Sequence, residues 1–337
     1  MRATGLPSFR ILVIMKPRNA DSNCYVHARI KLTQTGPLRR MSIVRRCLTL
    51  LTVSLIAAFS FAASVWGQGG FLEEVFAPAE HTHFSTSGAP YVHPFNFEPP
   101  QIHQDAFFIY RYTKNTIDGE NEHEAEAHLD WSLTKRLGFV IGVPLIGLED
   151  ATGTQSAGFG DLEITPRATL INQDTFILAS NVLVTVPTGD AGRNLGAGES
   201  VISPYLTTWH DLGNWNTLLF NFGPNIALES SDVSMTLDFS LTHSWCGPVL
   251  LEIDHGEEHD HRGDGHQLHF PPGMTTIYLE LASEYELTQE ERRFVELMPG
   301  ISYVLTEHAE LRFGVLLPIS KTQRFDAQYF TSFTWIH

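Results

Sequence analysis

The stretch Gly158-Phe-Gly-Asp-Leu-Glu-Ile-Thr-Pro-Arg-Ala-Thr-Leu-Ile171, followed by Asn172-Gln-Asp174 and Thr175-Phe-Ile-Leu-Ala-Ser-Asn-Val-Leu-Val-Thr-Val-Pro-Thr-Gly-Asp190, decides the fold class. Leu162, Ile164, Pro166, Ala168 and Leu170 take one face of a strand, and Asp161, Glu163, Thr165, Arg167 and Thr169 take the other. Side chains alternate across a strand with a period of two, so this run is amphipathic as a strand and not as a helix. A three-residue polar turn leads into a second alternating run, and a Gly-rich loop from Thr188 to Gly198 follows. Short turn, long loop, short turn is the rhythm of an antiparallel up-and-down β-barrel of the outer-membrane type.

Working outward, twelve strands are predicted, over residues 105–113, 123–133, 137–148, 160–171, 175–187, 199–210, 214–228, 232–245, 274–287, 292–305, 309–319 and 326–336. Most reach the roughly 9–11 residues that a tilted strand needs to span hydrocarbon, and an even count places both termini in the periplasm. Connections at 114–122, 149–159 and 188–198 read as long or Gly-rich, and those near 134–136, 172–174 and 211–213 as tight turns. Tyr110, Tyr112, Trp131, Trp209, Trp215, Trp245, Tyr329 and Trp335 gather near strand ends, as interfacial aromatic girdles do. A soluble β-sandwich also alternates. Bulky apolar faces along whole strands, opposed by scattered carboxylates, favour the barrel. Five strand prolines (Pro144, Pro166, Pro204, Pro224 and Pro299) conflict with a fully paired ladder and are expected at bulges or rims.

The start of the chain reads as processing signal rather than fold. Met41-Ser-Ile-Val-Arg-Arg46 precedes an apolar run from Cys47 to Ala63, and Val65-Trp-Gly67 supplies small residues for cleavage. Residues 41–67 therefore read as a secretory signal peptide, and residues 1–40 as a mis-called N-terminal extension. Residues 68–104, rich in Pro, Phe and His, show neither period and read as an irregular periplasmic arm or partial plug. The barrel occupies 105–337.

Without residues 1–67, twelve basic and 37 acidic residues remain, a net charge of −25. Phosphate backbones need a basic footprint, so nucleic acid is excluded as a partner; membrane lipid and a small-molecule solute are the expected ones. Only Cys246 survives, so no intramolecular disulfide supports the fold.

By parity Glu124, Glu126, Asp130, Asp161, Glu163, Arg167, Asp238, Glu280 and Glu284 face inward. They would give an acidic lumen with a cation bias, or simply a barrel interior filled by paired polar groups. The segment 254–271 is a His-rich insertion, with His255, His259, His261, His266 and His269 among carboxylates. Imidazole with carboxylate suits Zn, Cu or Ni, and a solvated polar loop is the plainer reading. His255-Gly-Glu-Glu-His259 matches an inverted zinc-peptidase motif, but that motif needs a helix, and the surrounding glycines oppose one. Adjacent His243 and Ser244 point to opposite faces of a strand, so a hydrolytic pair is not formed there.

Gly158-Phe-Gly-Asp-Leu162, Val186-Pro-Thr-Gly-Asp190, Leu195-Gly-Ala-Gly198 and Met298-Pro-Gly-Ile-Ser-Tyr303 resemble the MetA-pathway phenol-degradation family of outer-membrane transporters. The resemblance covers about residues 105–336. It implies a barrel channel for small, hydrophobic or aromatic solutes with no catalytic residues. The expectation is a non-enzymatic outer-membrane channel of a Gram-negative-type bacterium, with no required cofactor. The alternatives are a metal-binding outer-membrane protein and, more remotely, a barrel-bound hydrolase.

Overall fold

A computed structural model describes residue 77 and residues 82–85, 87–150, 152–247, 270–288 and 292–336. The expected extension at 1–40, the signal peptide at 41–67 and the five histidines of the His-rich segment lie outside the described residues. No described helix is long and apolar enough to cross a membrane.

The protein is all-β, a closed antiparallel barrel of twelve wall strands. The strands are β1 (Asp105–Lys114), β2 (Asn121–Ser132), β3 (Leu137–Glu149), β4 (Gln155–Phe159), β5 (Leu162–Gln173), β6 (Phe176–Val186), β7 (Val201–Gly213), β8 (Asn216–Ala227), β9 (Val233–Cys246), β10 (Met274–Glu286), β11 (Arg293–Thr306), β12 (Ala309–Pro318) and β13 (Ala327–Ile336). Sequence neighbours pair throughout except β4 with β5, and β1 closes on β13 from Asp105↔Ile336 to Lys114↔Ala327. β4 and β5 share one place in the wall. β5 pairs with Leu137–Gly142 of β3, and β4 pairs with Leu145–Glu149 of the same strand.

Residues 149–159 were expected to be a connection, and they contain β4. The break between β4 and β5 at Gly160–Asp161 has a local cause. The Pro144 carbonyl accepts the Gly160 N–H at 2.9 Å, but Pro144 has no N–H of its own to return toward that neighbour. The other strand prolines follow the same rule. Pro166 faces a gap in the β5–β6 register, Pro204 and Pro224 share a gap in β7–β8, and Pro299 sits at one in β11–β12. The conflict between proline and ladder is resolved by interrupting the ladder at those points.

The outward face is apolar and exposed, with Phe108, Leu145, Phe239, Leu241, Ile277, Leu279 and Phe313 on it. Tyr110, Trp131, Trp245, Tyr329 and Trp335 are exposed on this face as expected. Two girdle assignments are corrected. Trp209 is 0% exposed and points inward, its ring 5.1 Å from that of Tyr91. It shares parity with Ser203 and Thr207, and alternation settles its direction. Trp215 occupies the two-residue turn Asn214–Trp215, with φ values of 52° and 58°, and packs against Phe84.

The apolar core lies inside the ring. Ala89, Tyr91, Val92 and Phe95 of the arm pack against Trp209, Leu219, Tyr278, Met298 and Phe330 of the wall. The described arm thus runs within the barrel, and β9 ends and β10 begins on the side of the barrel that carries the tight turns 174–175, 214–215 and 307–308.

Gly223 lies where β7 crowds β8 at the proline gap, and a Cβ there would collide with the Pro204 carbonyl and come within 2.6 Å of Tyr205 Cβ. Gly223→Ala should cost about 1–3 kcal/mol, read as a lower denaturant midpoint of the folded protein in detergent. Gly147→Ala, whose Cβ would approach His123 no closer than 3.8 Å, should change stability by less than about 0.5 kcal/mol.

Candidate functional site: the filled lumen

Most of the inward charges meet a partner on the wall or on the arm. Arg111 of β1 donates to Glu124 at 2.6 Å and lies 2.9 Å from Glu126 on β2. His128 bridges Glu126 at 3.5 Å and Glu98 of the arm at 3.2 Å. Arg167, 3% exposed on β5, donates to Asp130 at 2.6 Å. Its second nitrogen donates to the carbonyls of Pro99 and Gln101 on the arm. Thr169 adds a bond to the Pro100 carbonyl at 3.2 Å.

The opposite wall grips the arm in the same manner. Arg312 on β12 donates to the carbonyls of His93 and Pro94 at 2.6 and 2.8 Å, with its guanidinium 4.5 Å from the Phe95 ring centroid. Glu280 on β10 accepts the backbone N–H groups of Phe95 and Asn96 at 2.8 and 3.2 Å and the Asn96 side-chain amide at 2.8 Å. Phe95 fits because Gly300 faces it; a Cβ there would fall 2.5 Å from the ring. An irregular segment has no ladder to satisfy its backbone, and charged wall residues supply those bonds.

Burial opposes ionisation of the Glu98 carboxyl, but His128 and Arg167 outweigh it and hold the group down at about 2. The arm is therefore tethered by a carboxylate that stays charged through the neutral range.

Between the arm and the wall lies a cavity of about 330 Å³. Phe95, Phe97, Phe107, Tyr205 and Phe330 give it aromatic surface, and Glu98, Arg111, Glu124, Glu126, Glu163 and Asp238 give it charge. Aromatic walls with a few placed polar groups are the usual make-up of a small-molecule site.

Of the inward residues expected from parity, Glu124, Glu126, Glu163 and Asp238 line this cavity. Asp130, Arg167 and Glu280 are buried in contacts around the arm. Asp161 has a different role. It accepts the N–H groups of Gly189 and Ala197 at 2.9 and 2.7 Å, so it holds the 187–200 loop. Glu284 pairs with Arg324 at 2.6 Å, beside the Arg324–Glu296 pair, at the end of the long connections. The lumen holds an apolar core together with paired charge. Arg111, His128 and Arg312 were missed, although Arg312 lies between Leu311 and Phe313, outward residues whose parity assigns it to the interior. His243 is exposed on the outer face and Ser244 is buried inside, as alternation requires.

No protein-family model matches the sequence, and no curated protein matches it. Among solved structures, the protein is similar to an outer membrane channel from Pseudomonas putida F1, with 13% identity and a TM-score of 0.49 over 73% of this chain and 100% of that one. It is also similar to the KdgM porin (10% identity, TM-score 0.41, 68% of this chain and 99% of that one). The NanC porin gives 9% identity and a TM-score of 0.42, over 69% of this chain and 100% of that one.

Proposed function

We propose that the protein is an outer-membrane channel for small solutes, without chemistry of its own, whose N-terminal arm folds back to narrow its lumen. The single observation that carries this reading is the inversion of the barrel. Its outer surface is a continuous apolar band, while its interior buries ion pairs and a cavity with charged groups. A water-soluble barrel places polar residues outside; a barrel in lipid reverses this and needs a closed ladder, because no water reaches its backbone. A solute with an aromatic or apolar body and a polar group fits a cavity lined by Phe95, Phe97, Phe107, Phe330 and Tyr205 beside carboxylates. That composition supports the solute class implied by the resemblance to phenol-degradation transporters.

Liposomes carrying the protein should swell in small phenolic or polar solutes faster than empty liposomes; equal rates would remove the channel reading. Arg312→Met deletes the donors that hold the His93 and Pro94 carbonyls, so single-channel conductance should rise or open events should lengthen, while the folded barrel keeps its heat-modifiable gel mobility. Unchanged conductance would mean that the arm does not limit passage.

Acid should release the arm by a route whose sign follows from Glu98. A carboxyl held at about 2 against an ordinary 4.5 contributes docking energy in full above about pH 4.5, which is lost as pH falls toward 2. The Glu98 contribution to conductance should therefore appear only as pH falls below about 4.5. Glu98→Gln should already show the low-pH conductance at neutral pH.

A further inference from the structure

Where the arm meets the start of β1, three histidines and a carboxylate converge. His83, His93, His103 and Asp105 are each no more than 5% exposed. Their backbones are held independently of one another. A short hairpin fixes His83, whose carbonyl accepts the Tyr91 N–H at 2.8 Å, and Arg312 fixes the His93 carbonyl. Asp105 opens β1 and pairs with Ile336.

The side chains point at one another. The His83 and His103 rings are stacked, with centroids 5.2 Å apart and planes 3° from parallel, and the His93 ring lies 5.0 Å from that of His103. One ligand atom from each of His83, His103 and Asp105 falls within 4.8 Å of the others, and His93 Nε2 stands 3.4 Å from Asp105 Oδ2. The Asp105 carboxylate is 2% exposed and is met by the His93 imidazole across that distance.

We infer that His83, His93, His103 and Asp105 form a transition-metal site of the Zn²⁺ class, which clasps the arm to the barrel wall. A carboxylate buried among imidazoles is costly unless a cation satisfies its charge. A divalent ion supplies that satisfaction. Three imidazoles and one carboxylate are a donor set for Zn²⁺ or its neighbours rather than for Ca²⁺ or Mg²⁺, which take oxygen. Ligand distances of about 2.0–2.2 Å in a tetrahedron bring donor atoms about 3.4 Å apart, within side-chain rotation of the observed spread. Four protein ligands make a closed, structural site. Phe270, 4.8 Å from the His83 ring, and Phe107, 5.0 Å from the His93 ring, wall it from water. The site uses none of the histidines at 255–269, and the inference does not depend on whether the barrel conducts.

The test uses the chain with residues 254–269 deleted, refolded in detergent and stripped of metal, so that the His-rich segment contributes nothing. Co²⁺ should bind one per chain and give the visible d–d bands of a four-coordinate nitrogen–oxygen site, and Zn²⁺ should displace it. Asp105→Asn and His103→Gln should each weaken Zn²⁺ binding by at least about tenfold while the folded gel mobility persists. In the undeleted chain, Asp105→Asn should lower the metal stoichiometry by one ion. Absence of a stoichiometric Co²⁺ spectrum, or binding unchanged by both substitutions, would overturn the site and leave a cluster held by protons alone. If the deleted chain does not fold, unchanged stoichiometry in undeleted Asp105→Asn is the overturning result.

Discussion

Closure of β1 on β13 is the constraint on which the rest of the structure depends. An open sheet of this length would end in two rows of unpaired backbone groups, and closing the ring removes both edges at once. With the backbone satisfied in the plane of the wall, the two faces are free to differ in polarity. The outer face carries Phe108, Phe239, Leu279 and Phe313 in the open, which is tolerable in lipid and a liability in water. Proline breaks this wall only where a register gap already exists.

Closure also creates an interior, and the interior has to be filled. Twelve strands enclose more space than their own inward side chains occupy, and the arm supplies the missing volume. Its backbone is irregular, so it arrives with carbonyls and N–H groups that have no ladder. Arg167 and Arg312 bring charged donors to the carbonyls, and Glu280 brings a charged acceptor to the N–H groups. Each side solves the other's burial problem. A buried guanidinium would be costly unpaired, and so would an arm carbonyl. The arrangement makes the arm a docked element held by a few identifiable contacts, and such an element is well suited to move when one contact is lost.

The chain by itself determined the wall. Alternation in Leu162–Ala168, and in runs such as Met235–Leu241, assigned faces correctly because a strand has only two, and one of them must be apolar. The same parity placed Glu126, Asp130, Arg167 and Glu280 indoors and separated His243 from Ser244. Trp209 shares the inward parity of Ser203 and Thr207 although its aromatic ring suits an interface. Only the tertiary structure decided what the inward residues meet. Residues 82–104 have no period, so nothing local states that they turn back into the ring. By parity Asp161 is one more lumenal carboxylate, and only the 187–200 loop folding onto it gives it another role. His83, His93 and His103 are each ten residues apart along the chain, a spacing without meaning in a strand or a helix. They become neighbours of Asp105 because the closed wall leaves the arm one place to go.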